Sequence, residues 1–141
     1  LPKNSNVIID SKPLEMVRNE IEASFDKKYG GIGMAPKFPQ TTILDSLLRH
    51  WRKTAFQIEP DIEALFLSTL TLTRMAEGGI YDQLGSGFYR YSVDQKWQIP
   101  HFEKMLYDNG LLLTLYTNAY LATGDELFKK ISENKFRLCS L

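Results

Sequence analysis

The sequence predicts an all-α fold of antiparallel helical hairpins with one small β-hairpin. Apolar residues recur at helical spacing in five segments of the 141-residue chain. One connection, residues 78–100, is far longer than the roughly two to eight residues that usually join helices, and it is rich in glycine and tyrosine. The tripeptide Gly-Gly-Ile occurs at 30–32 and again at 78–80, an offset of 48 residues. A repeat of this length indicates stacked helical hairpins, in a solenoid or a closed toroid.

The first two helices are predicted from apolar stripes that lie between residues favouring helix ends. Residues 1–10 are expected to form an extended lead-in, and the first helix starts near Pro13, which suits a first helical turn. Gly30 ends it, after the stripe Leu14, Val17, Ile21 and Phe25. Thr41 or Thr42 caps the second helix, whose stripe is Leu44, Leu47, Leu48 and Trp51.

The remaining three helices follow from the same signals. Pro60 opens the third helix, and Gly78 and Gly79 end it. Pro100 opens the fourth helix, whose stripe is Phe102, Met105, Leu106, Asn109, Leu112, Leu113, Tyr116, Ala119 and Tyr120. Asp125 caps a last helix, which contains the apolar residues Leu127, Phe128 and Ile131. After Ile131 the apolar pattern weakens.

A short β-hairpin is predicted inside the long connection. Residues 88–92 and 97–99 alternate in polarity around the turn 93–95. Two strands alone are marginally stable in water, so the hairpin is expected to lie on the helices. Its aromatic residues Tyr91 and Trp97 suit either stacking on a sugar ring or packing of the hairpin.

Composition argues against several classes of function. Lys plus Arg and Asp plus Glu both number 17, so no overall field favours nucleic acid. The one cysteine, Cys139, forms neither a disulfide framework nor a zinc site. No apolar run approaches the roughly 20 residues that span a bilayer. We therefore expect a cytoplasmic protein with neither nucleic-acid nor membrane partners.

Three ionisable residues of the long connection are candidates for acid/base chemistry. Asp82 follows the helix-ending glycines, where a carboxylate serves either as an acid/base group or as a turn cap. His101 and Glu103 fall in the first turn of the helix predicted from Pro100. Because a helix N-terminus disfavours a protonated imidazole, a neutral His101 would suit proton transfer beside Glu103. Alternatively, Glu103 only stabilises the helix start and His101 only hydrogen-bonds the hairpin.

Seven further residues are candidates for ligand binding. They are Lys37, Tyr81, Arg90, Tyr91, Trp97, Asp108 and Asn109. Tyr81 and Arg90 offer hydrogen bonds to sugar hydroxyls, and Lys37, held between two prolines, suits an anion or a carboxylate. Asp108 can simply pair with Lys104 one helical turn away. Asn109 lies inside an apolar stripe, where an amide must be paired, so it also suits anchoring the backbone of the glycine-rich loop.

No metal or cofactor is predicted. His50 and His101 fall in different elements, without the spacing of a zinc-binding helix. Gly85 and Gly87 do not follow a strand and precede a helix, as a phosphate-binding loop requires.

Three blocks of sequence resemble the signature blocks of a known family. They read GGIGMAPKFP from residue 30, GGIYDQLGSGFYRYSVDQKW from residue 78 and PHFEKMLYDN from residue 100. In this order they resemble the thioredoxin-domain-containing, spermatogenesis-associated protein family, whose bacterial members are of the YyaL type. The resemblance runs from about Ile21 to Ile131, which is most of the chain.

The resemblance implies a particular architecture. Members of this family carry a thioredoxin-like domain followed by a six-hairpin, glycosidase-like α/α toroid related to N-acylglucosamine 2-epimerase. The chain holds no CxxC, so the thioredoxin-like domain is expected to be absent. Residues 1–141 are expected to be a partial α/α-toroid domain, a fragment covering the beginning of the toroid. The link to sugars is a fold analogy.

Two functions follow as expectations. The first is a carbohydrate-active or sugar-binding toroid segment with epimerase-like or glycosidase-like acid/base chemistry. The alternative is a non-catalytic helical scaffold attached to a thioredoxin-like module. One concave pocket shared by Asp82, His101 and Glu103 would favour the enzyme, and separate turn caps would favour the scaffold. Open hairpin faces of a partial toroid also predict self-association of the chain.

Overall fold

The computed structural model of the protein describes residues 10–139, and side-chain surroundings are given up to residue 134. Within this part five helices follow one another: α1 Lys12–Ser24, α2 Thr41–Thr54, α3 Ile62–Glu77, α4 Leu106–Thr123 and α5 Glu126–Cys139. The all-α prediction is confirmed. None of the helices in the described range is long and apolar enough to cross a membrane. Most of the predicted lead-in, and the side chain of Cys139, lie outside the described residues.

The helices pack as neighbouring pairs around two apolar clusters. Helix α2 packs on α3, α4 packs on α5, and both pairs meet where α2 contacts α4 and α3 contacts α5. The larger cluster is formed by residues from each of the helices α2, α3, α4 and α5. It includes Leu44, Leu72, Met75, Leu112, Tyr116 and Phe128. The smaller cluster joins α1 to α2 and α3 through Ile21, Phe25, Leu47, Ala64 and Leu67. Leu14 and Val17 are exposed, so only the C-terminal half of the predicted α1 stripe is buried.

The two long connections meet at one end of the helices, which we call the loop end. The connection from α1 to α2 contributes Lys37, and the connection from α3 to α4 contributes Ser92. Their backbones exchange two hydrogen bonds, each 2.8 Å between nitrogen and oxygen. The indole nitrogen of Trp97 donates to the carbonyl of Tyr29 at 2.8 Å. The loop end is therefore one packed layer rather than two separate loops.

Helix α4 begins at Leu106, six residues later than the predicted start at Pro100. The intervening residues run in an extended form beside residues 90–92. The amide of His101 donates to the carbonyl of Tyr91 at 3.0 Å, and the amide of Arg90 donates to the carbonyl of Glu103 at 2.7 Å. The prediction was wrong because proline suits an extended segment as well as a first helical turn.

Helix α1 likewise ends earlier than predicted, at Ser24 rather than near Gly30. The next residue, Phe25, already forms an antiparallel bridge with Ile32. Residues 25–32 therefore form a tight loop of their own.

The predicted β-hairpin is not formed as a pair of strands within the described residues. Ser92 and Pro100 make one isolated antiparallel bridge. The segment is closed mainly by the Asp94 carboxylate, whose Oδ1 accepts the amides of Gln98 at 2.9 Å and Ile99 at 2.7 Å. Trp97 has a left-handed φ of 67°, which interrupts the regular alternation of a strand. A side chain thus replaces the ladder of hydrogen bonds that a hairpin would use.

Substitution of two glycines tests this packing of the loop end. A Cβ atom at Gly79 would collide with the backbone carbonyl of Gln98, whereas a Cβ atom at Gly110 meets open space. We expect Gly79→Ala to lower the free energy of unfolding by more than about 1 kcal/mol. Gly110→Ala is expected to raise it by about 0.5–1 kcal/mol, because alanine favours the interior of α4. Urea unfolding of both variants measures these two changes in the free energy of unfolding. The same change in both variants would contradict the described packing.

Candidate functional site

Residues 81–88, the second loop, follow the glycines that end α3. The carboxylate Oδ1 of Asp82 accepts the backbone amides of the second and third residues after it, at 3.0 and 2.8 Å. The carbonyl of Asp82 accepts the amide of Ser86 at 2.9 Å. From outside the loop, Lys104 Nζ donates to Asp82 Oδ2 at 2.6 Å and to the carbonyl of Ser86 at 2.7 Å. We call the Asp82–Lys104 ion pair the second clasp.

Residues 25–32, the first loop, repeat this arrangement. Asp26 Oδ1 accepts the amides of the second and third residues after it, both at 3.0 Å. The carbonyl of Asp26 accepts the amide of Gly30 at 2.8 Å. Lys37 Nζ donates to Asp26 Oδ2 at 2.6 Å and to the carbonyl of Gly30 at 2.7 Å. We call the Asp26–Lys37 ion pair the first clasp.

The two loops correspond residue by residue at an offset of 56 positions. Phe25 bridges Ile32 in the first loop as Tyr81 bridges Phe88 in the second. Two consecutive left-handed residues occupy the same places in both: the first loop has φ values of 74° and 80°, and the second has 61° and 81°. The predicted offset of 48 residues was therefore in the wrong register. The Gly-Gly-Ile tripeptides match in letters but occupy different places in the two turns.

Both clasps keep their aspartates ionised. Burial by itself would raise the pKa of Asp26, but the hydrogen bond from Lys37, together with those from backbone amides and Gln95, lowers the pKa to about 2. For Asp82, the hydrogen bond from Lys104 is the largest cause, and backbone amides add to it, so the pKa again lies at about 2. A carboxylate held in this form does not act as a general acid near neutral pH.

The first clasp lies in the interior, and it accounts for two of the predicted ligand-binding residues. The side chain of Lys37 is 0% exposed, and its Nζ lies 5.7 Å from the ring centre of Trp97. Trp97 is itself fully buried. The carboxylate expected to bind Lys37 is therefore Asp26 of the same chain. Neither Lys37 nor Trp97 is open to a ligand, which corrects both predictions.

Tyr81 and Asn109 also belong to the interior. The Tyr81 ring lies 4.9 Å from the ring of Phe88. Asn109 Oδ1 accepts the amide of Phe88 at 2.8 Å, and its Nδ2 donates to the carbonyls of Phe88 and Met105, both at 3.0 Å. The amide thus anchors the second loop to the start of α4, as its place inside an apolar stripe suggests. Asp108 lies beside it in the first turn of α4.

Four predicted site residues come together at the surface of the loop end. The Tyr91 ring stacks on Phe38 with centres 4.9 Å apart, and it meets the imidazole of His101 edge-on at 4.8 Å. Arg90 Nη1 lies 3.3 Å from Glu103 Oε2. His101 and Glu103 are exposed, and Arg90 and Tyr91 are half-buried. We call these five residues the aromatic–ionic surface.

The three predicted catalytic residues lie outside the two cavities found between the described helices. One cavity of about 700 Å³ lies between α1 and α2, and another of about 460 Å³ lies between α2 and α4. Asp82, His101 and Glu103 line neither of them. Because His101 lies in the extended segment before α4, the helix-terminus argument for its neutrality does not apply. No hydrogen bond of the His101 imidazole is found within the described side chains.

The sequence interpretation missed the two lysine–aspartate clasps and the capping role of Asp94. A signal was present, since FDKKYGGI at 25–32 and YDQLGSGF at 81–88 share an aromatic residue, an aspartate and a glycine at matching places. The lysines follow at different distances and give no pattern. Among the described side chains, no group of three His, Cys, Asp or Glu residues is placed to hold a metal ion.

The clasps predict how stability depends on pH. Both aspartates have a folded pKa of about 2 against an ordinary value of 3.8. Their contribution to stability is therefore complete above about pH 5 and is lost as the pH falls towards 2. We expect the free energy of unfolding to fall across this range, and to fall less steeply in Asp82→Asn. The measurement is urea unfolding between pH 2 and pH 7.

The control for this experiment is Glu20→Gln. Glu20 is exposed on α1 and makes no ion pair within the described part of the chain. Its substitution is expected to leave the slope of stability against pH as in the original chain. An unchanged slope in Asp82→Asn would contradict the role given to the second clasp.

Comparison with known proteins gives relatives for most of the chain. No family model matches it. It is 41% identical over 114 residues to spermatogenesis-associated protein 20 of Mus musculus and 40% identical over 114 residues to the protein of that name in Homo sapiens. It is also 42% identical over 114 residues to an uncharacterized protein of Caenorhabditis elegans. Each match covers 81% of this chain and 14% of the relative. The chain is therefore homologous to a segment that makes up about a seventh of these proteins.

Proposed function

We propose, on the premise that the chain is homologous to a segment of spermatogenesis-associated protein 20, that its loop end is a carbohydrate-binding surface. The observation that carries the proposal is the aromatic–ionic surface. Tyr91 and Phe38 offer apolar ring faces to the C–H groups of a sugar. Arg90, Glu103 and His101 lie on the same adjoining segments and offer hydrogen bonds to hydroxyl groups. A sugar site needs both kinds of group close together.

The proposal includes a toroid of helical hairpins in the longer homologous proteins. Its support is the repeated unit of helix, clasped loop and helix, which occurs as α1 to α2 and again as α3 to α4. Units that repeat in this way bury their faces against one another. Both clasped loops lie at the same end of the helices. Binding groups on a repeat scaffold gather on such loops.

A turn-capping Asp82 favours the scaffold by the criterion given above, so the acid/base part of the proposal rests on His101 as the proton-transfer group and Glu103 as its neighbour. His101 is exposed, and an imidazole ring has one nitrogen that can accept a proton and one that can donate it. Asp82 takes a supporting place, because its carboxylate is held by Lys104 and by backbone amides. Epimerase-like and glycosidase-like reactions both require a group that exchanges a proton with the substrate at the surface of the site.

A thermal melt against sugars tests the binding function. We expect one of glucose, galactose, mannose, maltose or cellobiose to raise the Tm saturably, because a ligand that binds only the folded state stabilises it. His101→Ala and Arg90→Ala are expected to remove the shift. Asp82→Asn is expected to lower the starting Tm and to reduce the shift, because it removes the charged partner of Lys104.

The matched control is Arg52→Ala, since Arg52 is exposed on α2 and lies outside the aromatic–ionic surface. It is expected to keep the sugar-dependent shift in full. Absence of any shift in both this chain and a full-length relative would overturn the carbohydrate proposal.

A second candidate function is a helical interaction scaffold, which the outer face of α4 favours. Tyr107, Leu111 and Leu121 lie along one side of that helix and are exposed by 57%, 48% and 75%. Large apolar side chains gathered at a surface mark sites of protein association. A scaffold would use this face rather than the loop end.

Light scattering distinguishes the scaffold function through self-association. We expect the mean mass of the chain to rise with concentration, because the α4 face can bury itself against a second copy. The double substitution Leu111→Gln and Leu121→Gln is expected to keep the chain monomeric over the same range. A strictly monomeric original chain at every concentration would contradict this prediction.

A further inference from the structure

We propose that Lys104 is a positioning residue for the aromatic–ionic surface, an inference that rests on the proposed carbohydrate-binding function. Its ammonium group donates to Asp82 Oδ2 at 2.6 Å and to the carbonyl of Ser86 at 2.7 Å. It also lies 5.2 Å from the ring centre of Tyr89. One side chain thus ties the extended segment before α4 to two points on the second loop and to the residue that leads out of it.

Lys104 itself is next to the proposed binding groups in the chain. Glu103 precedes it directly, and the carbonyl of Glu103 accepts the amide of Arg90 at 2.7 Å. The amide of His101 donates to the carbonyl of Tyr91 at 3.0 Å. These two backbone hydrogen bonds align the segment that carries Arg90 and Tyr91 with the segment that carries His101 and Glu103.

An aromatic contact connects the ammonium group to the same two segments. Tyr89, which lies against Lys104, meets Phe102 edge-on with ring centres 5.2 Å apart. Phe102 lies between His101 and Glu103 in the chain. Lys104 therefore holds the segment that carries Arg90 and Tyr91 at a fixed distance from the segment that carries His101 and Glu103. The proposed binding groups of both segments lie at the surface.

The two clasps differ in exposure, and this difference separates positioning from stability. The Lys37 side chain is 0% exposed and that of Lys104 is 27% exposed. A fully buried charge pair that loses one partner destabilises a protein strongly, whereas a partly hydrated pair contributes less. The second clasp is therefore the one whose removal alters local geometry while the helical core stays folded.

Amide hydrogen exchange tests the inference without any ligand. In Lys104→Met we expect the amides of Arg90 and His101 to exchange at least about tenfold faster, because their acceptors lie across the loosened segments. Amides in the middle of α4 should exchange as before. Lys104→Arg keeps the positive charge and is expected to restore most of the protection. Unchanged exchange at Arg90 and His101 in Lys104→Met would overturn the proposal.

Sugar binding supplies the second readout. With maltose and cellobiose as probes in titration calorimetry, Lys104→Met is expected to weaken affinity about tenfold or more, and Lys104→Arg is expected to recover it. If the original chain binds neither sugar and exchange still rises at Arg90 and His101, the positioning role stands and the carbohydrate function fails. If sugar binds and neither exchange nor affinity changes in Lys104→Met, the carbohydrate function stands and the positioning role fails.

A further variant keeps the test decisive if Lys104→Met does not fold. Asp82→Asn removes the charged partner of Lys104 and preserves the shape of the side chain. It is expected to raise exchange at Arg90 and His101 in the same direction. Normal protection of both amides in folded Asp82→Asn would overturn the proposal as well.

Discussion

The loop end depends on one buried ion pair, between Lys37 and Asp26. The lysine ammonium has left water completely, and it is compensated by the carboxylate at 2.6 Å and by the carbonyl of Gly30 at 2.7 Å. The carboxylate in turn accepts a hydrogen bond from Gln95 of the other long connection at 2.8 Å. The backbone of Lys37 pairs with Ser92 of that connection. A single residue therefore closes the first loop and fixes the second connection against it, and a buried charge tolerates little displacement of its partner.

The second clasp applies the same chemistry closer to the surface. Both loops turn the chain through two left-handed residues and use an aspartate to satisfy the amides of the turn. The first loop is enclosed by Trp97, whereas the second leaves its lysine partly hydrated. This asymmetry gives the fold a buried inner layer and an outer layer that carries Arg90, Tyr91, His101 and Glu103. The repeated unit thus supplies both the support and the surface from which we infer binding.

The sequence predicted the parts of the fold that depend on local spacing. The stripe of α2 and the core positions Leu112, Tyr116 and Ala119 of α4 follow from helical periodicity alone, and the structure buries most of them. The start of α4 was not predictable in the same way, because it depends on hydrogen bonds from residues 100–105 to a segment earlier in the chain. The roles of Lys37 and Lys104 were missed for the same reason. Each pairs with an aspartate 11 or 22 residues away, and the connecting loops differ in length.

The most direct test of this account is a double-mutant cycle on the first clasp. The free energy of unfolding would be measured for the original chain, Asp26→Asn, Lys37→Met and the double variant. If the buried pair organises the loop end, the two single substitutions will each be strongly destabilising. Their effects will then be non-additive, with a coupling of about 2 kcal/mol or more. A coupling near zero would show that the two residues contribute independently, and it would contradict the central place given to their ion pair.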